Sequence, residues 1–164
     1  MKMLTLEDLF VQELRDIYNG ENQIIKALPK MAKAASSPDL KQAFENHLAQ
    51  TEEQVERLDR IFKKLGKKPT GKKCKPMEGL IEEGKELMEM DAEPAVLDAA
   101  LIAAAQKVEH YEIALYGCLC TWAKLLGYTT AQHTLHQTLE EEKRTDEKLT
   151  QLAERQVNLQ AAAK

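Results

Sequence analysis

Hydrophobic residues recur at intervals of three and four over most of the chain, the period of helices that bury one face. Leu6, Leu9, Phe10, Leu14, Ile17, Ile24 and Leu28 form the first such stripe, and Thr5 is its N-cap, with Glu7 and Asp8 in the first turn. Pro29 predicts either the end of this helix or a bend in it, and Ser36-Ser37-Pro38-Asp39 is a clear break. Ser37 then caps a second helix with Pro38 at its first position. This helix carries Leu40, Phe44, Leu48, Val55, Leu58, Ile61, Phe62 and Leu65 on one side and stops at Gly66.

A loop rich in Lys, Pro and Gly follows over 67–75, then a shorter amphipathic piece from Pro76 to Met90 and a second break at Asp91-Ala92-Glu93-Pro94. A third long helix is expected from Pro94 to Leu126, ended by Gly127, and a fourth from Thr129 or Thr130 into a Gln- and Ala-rich tail whose residues 155–164 are expected to fray. The order is two long helices, a long connection over 67–93 with a short helix inside it, and two more long helices. That is an all-α, ferritin-like four-helix bundle with one long crossover, and 1–164 is expected to form a single domain.

Each long helix has a polar residue where its stripe calls for a hydrophobe. Glu21 lies between Ile17 and Ile24, and His47 between Phe44 and Thr51, with Gln50 and Gln54 beside it. Glu109 and Glu112, three apart, share a face with Ala105 and Tyr116. Glu142 follows Leu139, with Asp146 one turn later. Any one of these acids alone reads as a boundary residue or the partner of a Lys or Arg, and His47 alone as a core or capping histidine. Their coincidence near the middle of four helices points to a metal site, because ionised groups enter a core only when paired or metal-bound. Without metal, burial and like charge raise the pKa of such carboxyls.

Composition narrows the picture. The 164 residues carry a net charge of −4, which provides no bulk attraction to nucleic acid or to an anionic membrane, and no apolar run of membrane-spanning length occurs. The lysines at 63, 64, 67, 68, 72, 73 and 75 have no aromatic residues among them to stack bases, so a solvated loop is the better reading and nucleic acid is not expected as a partner. Cys74, Cys118 and Cys120 are odd in number and form no C-x-x-C pair, which fits a reducing, cytoplasmic location and no zinc site. His110 points about 100° from Glu109 and reads as a flank residue, and His133 and His136 as surface residues.

From Ala99 to Ala114, at Thr138-Leu-Glu-Glu-Glu-Lys143 and at Met77-Glu-Gly-Leu-Ile-Glu-Glu83, the chain resembles the bacterial YciE/YciF-type ferritin-like stress proteins, related in fold to rubrerythrin. The resemblance covers nearly the whole chain. It implies a helical subunit, usually a homodimer, with a di-metal centre of iron or manganese. Carried over by position, the metal ligands fall on Glu21, His47, Glu109, Glu112 and Glu142, with Asp146 near the place of a Glu-x-x-His histidine. Relatives often carry glutamate three residues after the histidine. Here Gln50 stands there, and an amide binds hard cations more weakly than a carboxylate does.

Two functions follow as expectations. One is a di-metal oxidoreductase that reduces a small oxidant such as peroxide or oxidises Fe(II), with Tyr111 and Tyr116 near enough in sequence to donate hydrogen bonds to its ligands. The other is a non-catalytic metal-binding or structural module that acts as a helical homodimer, which Gln50 favours.

Overall fold

The computed structural model describes residues 3–163, and every secondary-structure element in that span is helical. The long helices are α1 (Leu6–Ala34), α2 (Pro38–Leu65), α4 (Pro94–Leu125) and α5 (Thr129–Leu152). The short α3 (Lys75–Glu89) lies in the crossover. The expected caps are in place. Thr5 and Asp8 form a reciprocal capping box at the start of α1, and the Ser37 hydroxyl accepts from the Leu40 N–H at the start of α2. Gly66 (φ 64°) and Gly127 (φ 75°) end α2 and α4 in the left-handed conformation, where a β-carbon is strained.

Pro29 neither ends α1 nor separates it into two helices. It faces solvent, so the backbone carbonyl that loses its donor there can be hydrated. The tail departs from expectation more strongly. After α5 the chain makes one wider, π-type turn, Ala153–Val157, and continues as α6, Asn158–Ala162. Leu149, Ala153 and Val157 all enter the core, and Val157 is fully buried. Steps of four residues drift by ~40° in an ordinary α-helix, and the wider turn takes that drift back. Residues 155–162 are therefore helical, held to the core through Val157, where the sequence predicts fraying.

The core has two apolar ends. Phe10, Leu14, Ile17, Leu58, Phe62, Tyr116, Leu119 and Leu135 fill one. Ile24, Leu28, Leu40, Phe44, Leu101, Ile102, Leu149 and Val157 fill the other. Each long helix passes from one end to the other, so α1 is antiparallel to α2 and α4 to α5, and the crossover returns the chain along the bundle with α3 against α1 and α4.

Asp98 on α4 fixes the turn between α1 and α2. It is buried, and its two carboxylate oxygens accept from the Ser36 and Ser37 N–H groups, both at 2.8 Å. Asp98→Ala leaves those donors without a partner. It is expected to cost about 2–3 kcal/mol, read as a lower urea midpoint at unchanged m; an unchanged midpoint would show that the turn holds itself.

Candidate metal centre

Between the two apolar ends lies a polar layer to which all four long helices contribute at the same height. On α1 the stripe runs Ile17, Glu21, Ile24; on α2, Phe44, His47, Thr51, Gln54, Leu58; on α4, Ala105, Glu109, Glu112, Tyr116; on α5, Leu139, Glu142, Leu149. The hydrophobes on either side of each polar residue belong to opposite apolar ends, so forming the core brings the polar residues together.

His47, Glu109, Glu112 and Glu142 are all buried, and each offers one ligand atom within 4.8 Å of the others. Nε2 of His47 lies 3.0 Å from Oε1 of Glu109, without the alignment of a hydrogen bond. Glu21 is fully buried beside Glu112, and Glu109 is buried beside Glu142, so the four acids crowd one another. Burial, followed by the charge of Glu142, pushes Glu21 up to about 8. Burial also pushes Glu109 up to about 8, with Glu21 and Asp146 adding to it. Glu112 and Glu142 are raised well above the ordinary carboxyl range, again by burial first and then by neighbouring carboxylates.

The surroundings hold these groups in place. The Tyr116 hydroxyl donates to Oε1 of Glu21, and Gln54 donates to Oε1 of Glu142 and, at 3.2 Å, to Glu141. Arg57 clasps Glu141 through two nitrogens at 2.6 and 2.9 Å. Glu141 is therefore neutralised within the protein and stays below the ordinary range despite partial burial. Among the described residues, every buried side-chain N or O atom without a hydrogen-bond partner belongs to Glu21, His47, Gln54, Glu109, Glu112 or Glu142. Buried polar atoms are rarely left this way, and here they converge on one point. Hard oxygen donors with one imidazole, all aimed inward, fit divalent iron or manganese.

Not every predicted residue joins the layer. Asp146 lies at its rim, accepting from Gln106 at 3.1 Å and meeting the exposed His110 at 3.3 Å. Gln50 is half-buried and accepts from Thr145 at 3.3 Å, while Gln54, one turn further along α2, is the amide that reaches a carboxylate. His133 and His136 are exposed. Tyr111 turns away toward Asp16, to which it donates, and lies 3.2 Å from the Cys74 sulfur. Burial raises Asp16, but the bonds from Tyr111, Cys74 and Lys72 outweigh it and leave the carboxyl below its ordinary value. With Asn19 accepting from the Cys74 N–H at 2.8 Å, this group anchors the crossover to α1. Sequence periodicity carries no sign of it, nor of the Arg57–Glu141 pair, because both depend on contacts between helices.

Residues 5–162 match the family model described as Domain of unknown function (DUF892). Protein YciF of Escherichia coli (strain K12) is 52% identical over 165 residues, covering 100% of this chain and 99% of that protein. The crystal structure of the E. coli stress protein YciF matches with a TM-score of 0.92, at 52% identity, over 95% of this chain and 99% of that one. YcfI from Rhodopseudomonas palustris matches at 0.87 and 50% identity, over 91% of this chain and 95% of that one. A protein from Xanthomonas campestris pv. campestris, 22% identical with a TM-score of 0.75 and 94% of each chain covered, shares the fold. The resemblance seen in the sequence is thus borne out.

The raised carboxyls set a direction for stability. As pH rises from 4.5, the unfolded chain releases protons that the folded layer retains, so the metal-free fold loses stability as pH climbs through about 8. Asp16, being depressed, acts oppositely and at lower pH. Thermal melts of chelator-treated protein should therefore show a Tm that falls across this range, and Glu112→Gln should flatten the fall. A Tm that rises through the same interval would contradict the carboxyl crowding.

Proposed function

This chain belongs to the DUF892 family, and from that premise we propose that the polar layer binds two iron or manganese ions and acts as a redox centre that reduces peroxide or oxidises Fe(II). The supporting observation is the convergence of every partnerless buried side-chain polar atom among the described residues on this one layer. Four carboxylates match the charge of two divalent cations, and His47 adds a nitrogen donor. Glu21, His47, Glu109, Glu112 and Glu142 would hold the ions. When bound, the pair supplies an electron-exchanging centre with positions for a small oxidant.

The chain's own residues do the rest. Tyr116 fixes the orientation of Glu21, and Gln54 occupies one oxygen of Glu142 while the other stays free. Arg57 keeps the neighbouring charge of Glu141 out of the layer. The apolar ends exclude water above and below. Binding displaces the protons that the raised carboxyls hold, so metal uptake should release protons and strengthen as pH rises toward about 8.

A second reading, a metal-holding or structural module without turnover that acts as a homodimer, is favoured by Gln50, which stands where relatives often carry glutamate and gives the layer no further carboxylate. The three free cysteines agree with a cytoplasmic setting, and no helix among the described residues is long and apolar enough to cross a membrane. The similarity to a stress protein supports a role under stress.

Elemental analysis of protein purified without chelators should find close to two metal ions per chain, and peroxide consumption and Fe(II) oxidation should both be measurable. Glu109→Ala should lower metal content and slow both reactions at least tenfold. Metal-loaded protein with neither activity would select the second reading. A metal-free, inactive protein indistinguishable from Glu109→Ala would overturn the redox reading and leave only the structural module.

A further inference from the structure

A cavity of about 260 Å³ lies between α1, α3 and α4, and its lining reaches from the surface to His47 and Glu109. It approaches the polar layer through the side of the bundle, since the apolar ends close it above and below. The walls are mostly aliphatic or thioether, Ile24, Met31, Ile81, Met88 and Val108 among them, with Gln23 as a polar member and no Phe, Tyr or Trp. Lys26, Lys30 and Lys85 are its charged surface residues, and Glu109 at the floor is its one acid. Lys85 pairs with Glu82 at 2.9 Å, whereas Lys26 and Lys30 pair with no acid among the described residues. An apolar channel with a cationic rim is complementary to a molecule with an apolar tail and an anionic head.

Gly84 shows how the α3 wall leaves this space open. It sits inside α3, is buried, lines the cavity, and has no positive φ. A β-carbon there would meet no atom within 4 Å. Glycine weakens a helix interior relative to alanine, and neither backbone conformation nor close packing calls for one here. What the missing side chain leaves is room above the His47–Glu109 floor.

We infer that this cavity receives a single-chain aliphatic carboxylate, its tail packed between α1, α3 and α4 toward His47 and Glu109 and its head held by Lys26 and Lys30. The inference deepens the metal-centre reading by naming a ligand class for the same site. It rests on that reading only for whatever chemistry takes place at the floor. The binding itself belongs to the cavity, and the two are separable by experiment.

Decanoate titrated into the full-length protein as purified, with metal content measured on the same sample, makes the test. Saturable binding is expected, with decanol binding several-fold more weakly. Gly84→Leu, which fills the cavity, should weaken decanoate binding at least tenfold while metal content stays the same. Lys26→Gln combined with Lys30→Gln, a surface change that leaves the core intact, should abolish the preference for decanoate over decanol. Absence of saturable binding, or binding indifferent to both variants, overturns the inference. So does a dimer that dissociates on Gly84→Leu in protein that never binds decanoate, since the occupant is then a second copy of the chain. Decanoate binding to a metal-free sample would overturn the metal reading and leave this one standing.

Discussion

Four carboxyl groups share one water-poor layer at the middle of the bundle, and much of the surrounding structure is arranged about that crowding. Bringing Glu21, Glu109, Glu112 and Glu142 together without solvent disfavours their charged forms twice over, through desolvation and through mutual repulsion. Two relaxed states follow. In one, the acids keep their protons, as their raised pKa values favour. In the other, cations replace the protons.

The apolar ends make this layer enforceable. Were the helices free to rotate, each acid would turn to water. Ile17 and Ile24, Phe44 and Leu58, Ala105 and Tyr116, and Leu139 and Leu149 pin each helix on both sides of its polar residue. Burial of several such side chains outweighs the cost of holding one carboxyl neutral, at ~1.5–3 kcal/mol for each large apolar residue. The crossover adds a second constraint. Asp16, Asn19 and Cys74 tie the start of α3 to α1, which positions α3 as one wall of the cavity beside the layer. Burial raises the Cys74 thiol to about 11, so at neutral pH it serves as a hydrogen-bonding anchor and not as a nucleophile.

Much of this was legible in the sequence for a simple reason. A core stripe repeats by helical geometry, so a polar residue falling on it identifies itself, and Glu21, His47, Glu109, Glu112 and Glu142 all do. Asp146 shows the limit of that reasoning. Four residues after Glu142 is one full turn plus ~40°, enough to carry the carboxyl past the layer to Gln106 and His110 at its rim. Gln50 and Gln54 show a related limit: the sequence sets both beside His47, and only the docking of α2 on α5 decides that Gln54 is buried and meets Glu142 while Gln50 is not. Val157 was hidden because a wider helical turn has no sequence signature of its own.

A crystal grown from protein expressed with iron or manganese and measured at the metal's absorption edge tests the central claim most directly. Two anomalous peaks are expected, enclosed by Glu21, His47, Glu109, Glu112 and Glu142, with the four long helices in unchanged positions. A map without a peak in that layer, with the carboxyl groups still crowded together, would contradict that claim.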